Sequence, residues 1–292
     1  MADVVLAAVP TPFAADGSLD VACARRYFTF TGEHADGMLV AGTTGEFPAL
    51  DDDERLALFE IALDVAGPDR VIAHIGAPDS YRAARLAAAA VALGARRIAA
   101  ITPFYLAPTP AEVTDYYARI RAAAPAAALY AYIFPERTGV TVTPSQFCEL
   151  ADAVGLVGAK FSGAAARNIA ACAAERPGLR IFSGDDSDLA ATLRGGGAGI
   201  ISARTAAFPE VFAGLAAALA GDAGAAAAAA TAEARQADVT AIAALGAGIG
   251  LVKEVLRARG FGPMAARMPV GSPDEATAAR VGELVKSLVP AD

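Results

Sequence analysis

Lysine is scarce in this 292-residue chain. Three occur, Lys160, Lys253 and Lys286, beside 21 arginines, and the first 159 positions hold none. Cysteine is equally sparse. Cys23, Cys148 and Cys172 are scattered and odd in number, which argues against a disulfide framework and for reduced thiols. The two histidines, His34 and His74, stand at no metal-ligand spacing from a cysteine or an acid, so no metal site is expected. His74 falls within an apolar run and reads as a core residue. Positive charge is in deficit, with a formal net charge of −8, which excludes a nucleic-acid-binding surface. No apolar run of membrane-spanning length escapes interruption by glycine, proline or charge, so no transmembrane helix is expected. The opening Met1-Ala2-Asp3-Val4 has no basic stretch of the secretory type. These absences together point to a soluble, cytoplasmic protein.

What is present is apolar. Hydrophobic residues make up 55% of the chain and charged residues 19%, enough for a large core and too few charges for disorder. Short apolar runs at 4–9, 37–41, 70–75, 97–101, 127–134, 156–161, 179–182 and 199–202 predict eight strands. Most are continuous, not alternating, as in parallel strands buried on both faces. Helix starts lie between them. Asp51 with Glu54, Thr109 with Glu112 and Thr143 with Gln146 are capping boxes, the last two with proline at the first helical position. Eight β–α units without a break in composition predict an α/β fold, a (β/α)8 TIM barrel over residues 1–220. Past about residue 205 only helix signals remain. Residues 221–292 are expected to form a C-terminal helical extension, and the alanine run at 225–230 to be ordered helix.

In such barrels functional groups sit on loops after the C-terminal strand ends. Lys160 ends the sixth apolar run. A desolvated ammonium gives up its proton more readily, and the free amine adds to carbonyls to form Schiff bases; the alternative is a lysine that packs its stem and keeps its head wet. Gly42-Thr43-Thr44-Gly45 follows strand two as an anion cradle or a capped turn. Tyr105 and Tyr132 follow strands four and five as proton carriers or rim aromatics. The guanidinium fork of Arg137 suits a carboxylate. Ser183-Gly184-Asp185-Asp186 and Ile201-Ser202 close the ring of strand ends, the former also readable as a helix-capping turn. Other motifs carry less. Gly246-x-Gly248-x-Gly250 lacks the strand-before, helix-after context of a dinucleotide site. Gly195-Gly196-Gly197 reads as a tight turn at the opposite barrel end, Lys253 as structural, and the two aspartates after strand seven as repelling phosphate.

Gly42-Thr-Thr-Gly-Glu46, Tyr132-x-x-Pro-x-Arg-Thr-Gly139, Lys160 and Ser183-Gly-Asp185, in this order, resemble the dihydrodipicolinate synthase / N-acetylneuraminate lyase family. The resemblance spans nearly the whole chain. It implies a barrel with a helical extension, usually a tetramer built from two tight dimers. It also implies class I aldolase chemistry on pyruvate and an aldehyde, with no cofactor beyond a covalent imine at Lys160. On these terms Tyr132, Thr43 and a neighbouring subunit's Tyr105 relay protons, Thr44 holds the pyruvate carboxylate, and Arg137 orients the second substrate. Gly184 and Ile201 complete the substrate site. The arginine context resembles the synthase branch, which implies aspartate semialdehyde; Glu46-Phe47-Pro48 resembles keto-acid aldolase branches. Ile133 stands where the family commonly has asparagine, and Phe161-Ser162 where it commonly has an acid and alanine. Both are expected to change the polarity beside the lysine. The family's lysine-inhibition pocket would be lined by Phe47, Pro48, Pro78 and Arg82, the last repelling an ammonium.

Overall fold

The computed structural model describes residues 3–187, 189–220, 225–246 and 248–289. Eight parallel strands close a barrel in sequence order: β1 (Val5–Ala8), β2 (Gly37–Val40), β3 (Val71–His74), β4 (Arg97–Ile101), β5 (Ala128–Ile133), β6 (Gly158–Phe161), β7 (Arg180–Ser183) and β8 (Gly199–Ser202). Closure is made by β1 on β8, with Val5 opposite Ile200 and Leu6 opposite Ile201. The fold is therefore the expected (β/α)8 barrel. Most of its strands are shorter than the apolar runs, because those runs continue into buried loops. The helices Ala225–Ala244, Ile249–Ala258 and Glu275–Leu288 follow the barrel. The expected boundary between barrel and extension borders residues 221–224, which lie outside the described residues.

Strand side chains alternate between two faces. Leu6, Leu39, Ile72, Tyr130, Phe182 and Ile201 pack together in the barrel interior. Their neighbours, among them Ala131, Ile133, Ala159, Phe161 and Ile181, join the larger core between strands and helices. Each fully buried large aliphatic or aromatic side chain contributes about 1.5–3 kcal/mol. At the N-terminal barrel end the Asp3 carboxylate pairs with Arg97 at 2.8 Å and Arg180 at 3.1 Å. Gly196, at φ +80°, makes the expected tight turn there.

All three capping boxes form. The Asp51 carboxylate accepts from the Glu54 amide at 2.8 Å, and the Glu54 carboxylate from the Asp51 amide at 3.2 Å. Thr109 with Glu112 and Thr143 with Gln146 repeat the exchange. These caps satisfy orphan helix donors and thereby end the loops that carry the site. Among the described residues no single helix is long and apolar enough to cross a membrane. The three cysteines are buried free thiols.

Candidate active site

Lys160 is the third of four residues in β6, in register with Tyr132 on β5 and Phe182 on β7. It thus lies within the strand, one residue short of the expected tip. Its residue exposure is 7%, and its Nζ sits 4.7 Å from the centroid of the Tyr132 ring. Among the described residues it has no carboxylate within ion-pair distance. The stem needs the bare backbone of Gly184. A Cβ there would stand 2.0 Å from Ser162 Oγ and 3.3 Å from Lys160 Cε.

The loop after β2 faces this lysine's partner. Thr43 Oγ1 lies 3.2 Å from the Tyr132 hydroxyl. Thr44 is buried, and its amide and hydroxyl have no partner among the described residues. Unpaired donors in a buried turn suit an anion. The turn holds two residues in the left-handed region, Ala41 at φ +52° and Glu46 at φ +54°. Such strain persists only where surroundings hold it. Here the holds are visible. Thr11 donates to the Gly45 carbonyl at 2.6 Å, and His74 Nδ1 lies 2.9 Å from the Ala41 carbonyl. His74 Nε2 accepts from the Ile101 amide at 3.2 Å, so its proton is on Nδ1. Burial, reinforced by the Arg55 charge, holds its pKa well below the ordinary range, and the ring is neutral.

Glu46 anchors the loop's far end. Its fully buried carboxylate pairs with Lys253 on the helix Ile249–Ala258 and accepts from the amides of Arg267 at 2.9 Å and Met268 at 2.7 Å. Lys253 also donates to the Ala265 carbonyl at 2.6 Å. Arg267 grips Glu54 through both nitrogens, at 2.7 and 2.6 Å. The C-terminal extension is therefore clamped onto the catalytic end of the barrel. It also forms a wall there: a cavity of about 520 Å³ opens above Thr43 between Phe47, Ile101 and Phe104 on one side and Ile249, Met268 and Val270 on the other. Arg137, on the one-turn helix Pro135–Thr138, borders it. Sequence reasoning missed this wall and the Glu46–Lys253 pair. The scarcity of lysine was a signal for the pair; nothing local marked the wall.

Other expected residues fall elsewhere. Tyr105 is 95% exposed at φ +80°, bordering a separate hollow with Tyr81 and Leu106, and does not meet Thr43 or Tyr132 within one chain. Ile201 packs in the interior layer with Phe182. Asp185 accepts from the Ser187 amide at 3.1 Å, the capping-type turn. Asp186 accepts from Ser202 and pairs with Arg204, so it is compensated instead of standing as a free repelling charge. Ile133 and Phe161 face the helices, Phe161 packing edge-on against Phe147 at 4.9 Å. Their side chains do not alter the polarity beside the lysine, because each follows an inward residue by one position; Ser162, two residues after Lys160, does place a buried hydroxyl beside Gly184 and the lysine stem. The four residues assigned to a lysine pocket divide as follows. Phe47 and Pro48 line the mouth, Pro78 borders the Tyr105 hollow, and Arg82 is bound to Asp52 at 2.7 Å.

A family model described as the dihydrodipicolinate synthetase family matches residues 1–288. The chain belongs to this family. Its curated relatives include a 4-hydroxy-tetrahydrodipicolinate synthase from Synechococcus sp. (strain CC9605), 34% identical over 222 residues, 75% of this chain and 74% of the relative. Another, from Mycolicibacterium paratuberculosis (strain ATCC BAA-968 / K-10), is 37% identical over 200 residues, 68% and 66% of the two chains. Among solved structures, the Escherichia coli K12 prophage protein YagE, in complex with pyruvate, superposes with a TM-score of 0.87 at 25% identity over 98% of both chains. CdNal from Clostridium difficile, in complex with mannosamine, gives 0.85 at 25% identity over 99% of both. Membership in the dihydrodipicolinate synthetase family carries an aldolase-type lyase function and leaves the substrate to be read from the site.

Proposed function

We propose that this protein is a class I lyase joining pyruvate to a carboxylate-bearing aldehyde through a Schiff base on Lys160. The observation that carries the reading is Lys160 buried over the Tyr132 ring, with the Thr43 hydroxyl 3.2 Å from the Tyr132 phenol. Lys160 Nζ adds to C2 of pyruvate and water leaves, giving an imine. The protonated imine is an electron sink, so C3 loses a proton and becomes an enamine that attacks the aldehyde carbon. This chemistry requires no metal or other cofactor. Tyr132 carries the protons and Thr43 passes them outward. The amide and hydroxyl of Thr44, without partners among the described residues, support a carboxylate-binding role, and the position of Arg137 at the mouth supports recognition of a second carboxylate. Gly184 leaves room for the imine, and Ile201 floors the site.

Relatives that are 4-hydroxy-tetrahydrodipicolinate synthases make aspartate semialdehyde the reference aldehyde, which would put the chain in lysine biosynthesis. Cleavage of 4-hydroxy-2-oxoglutarate or a 2-keto-3-deoxygluconate-type acid is the alternative; Arg137 suits the first, whose aldehyde half carries a carboxylate, better than the second, whose aldehyde half carries only hydroxyls. The reading includes a homotetramer in which a neighbour delivers Tyr105. The exposed Tyr81, Tyr105 and Leu106 support such a contact, and sedimentation equilibrium in solution measures it directly by the mass of the assembly. A cytoplasmic location is supported by the three buried free thiols. The decisive test is borohydride reduction with pyruvate. A stable mass on the Lys160 peptide is expected; an unmodified Lys160 under saturating pyruvate defeats the reading.

A further inference from the structure

Most side chains lining the mouth are apolar, and the two hydroxyls among them, Thr43 and Thr138, already have partners. Thr43 is paired with Tyr132. Thr138 accepts from Thr102 at 3.0 Å and from the Val140 amide at 3.2 Å, and donates to the Phe134 carbonyl at 3.2 Å. Among the described residues no aspartate or glutamate lines the cavity. Glu46, close in sequence, is consumed by Lys253 and two amides. Glu136 turns away to accept from the Ala164 amide at 2.7 Å. The one charged side chain that borders the space is Arg137, with Phe134 5.7 Å from its guanidinium carbon and no ion-pair partner among the described residues.

A ligand in this space exchanges water for Phe47, Ile101, Phe104, Ile249, Met268 and Val270. An apolar body gains from that exchange. An ammonium or a row of hydroxyls loses hydration and meets no carboxylate among the described lining residues, only the Thr43 hydroxyl already shared with Tyr132, which is costly. A single carboxylate is different, because Arg137 receives it.

We infer that the second substrate of this site is an aldehyde with an apolar body and one carboxylate, lacking an amino group or a polyhydroxyl chain. The inference rests on the Schiff-base reading above and on neither of the aldehydes named there. In the step it implies, enamine C3 bonds to the aldehyde carbon and the carbonyl oxygen takes up a proton. Water then hydrolyses the imine, returning the molecule lost when it formed. The product is a 4-hydroxy-2-oxo acid, and Lys160 is released as the free amine.

Succinic semialdehyde and aspartate semialdehyde differ by one amino group, and this pair isolates the question. The two are compared at saturating pyruvate by mass spectrometry of the condensation product, with borohydride trapping at Lys160 run in parallel. The expected result is a kcat/KM at least about tenfold higher for succinic semialdehyde. An Ile249→Asp variant, which places an acceptor in the wall, is expected to narrow that ratio. Equal or better use of aspartate semialdehyde overturns the inference, as does condensation with neither aldehyde while trapping persists. Failure of trapping itself defeats the Schiff-base reading and takes the inference with it.

Discussion

Lys160 and Lys253 are both buried, at 7% and 1% exposure, and each holds its Nζ 4.7 Å from an aromatic centroid, Tyr132 and Phe13 respectively. Their surroundings otherwise differ. Lys253 meets the Glu46 carboxylate and the Ala265 carbonyl, and its partners tie the extension to the loop after β2. Burial lowers its pKa and Glu46 opposes that shift. Lys160 meets no carboxylate; beside its Tyr132 partner lie the Thr43 hydroxyl and then the open mouth. Burial alone therefore does not distinguish a structural lysine from a reactive one. The counter-ion is what differs: Lys253 is paired with Glu46, while Lys160 has no carboxylate partner among the described residues.

The comparison breaks most sharply at Lys160. Lys160→Ala is expected to reduce turnover by more than about 10⁴-fold, as removal of a covalent nucleophile does, with the denaturation midpoint nearly unchanged. A variant that kept its turnover would move the chemistry elsewhere. Lys253→Met should do the reverse. Leaving Glu46 buried without its cation costs about 3–5 kcal/mol of stability, read by denaturant unfolding. Under native conditions the variant should still be trapped at Lys160, and a Glu46→Gln/Lys253→Met double variant should recover part of the loss. Unchanged stability would show that the clamp is idle.

Tyr132→Phe comes next, with turnover lowered by on the order of 10²–10³ through loss of the proton carrier. Near wild-type steady-state rates would assign the tyrosine to packing. The smallest effect concerns the clamp's outer pair. The hydrogen bond from Arg267 holds the Glu54 carboxyl below its ordinary value of 4.5. A lowered folded pKa means stability that is present above that ordinary value and is lost as pH falls towards the folded one. Glu54→Gln should thus melt below wild type at pH 7, with the gap closing at acid pH. A gap independent of pH would remove Glu54 from the clamp.

Much of the site was legible because it is local or periodic. Lys160 and Tyr132 each lie near the C-terminal end of an apolar run, and parallel register sets them side by side. The capping boxes were legible because their partners stand three residues apart. The orientation of Ile133 and Phe161 was also available from the two-residue strand period, since each directly follows an inward residue. The Glu46–Lys253 pair, the extension's wall and the neutral His74 were not, because their partners are distant in the chain. Tyr105 depends on a second copy and lies outside what one chain displays.

Eight apolar runs separated by capped helices determined the barrel, since continuous hydrophobic strands need cover on both faces and only a closed parallel sheet supplies it for all eight. The same sequence supplied the chemical groups and their strand ends. Tertiary structure decided which buried lysine found a carboxylate and which was set against the Tyr132 ring. It also made the mouth apolar, by bringing Ile249, Met268 and Val270 opposite Phe47 and Phe104. The reason is that charge compensation and desolvation depend on neighbours in space, and those neighbours come from opposite ends of this chain.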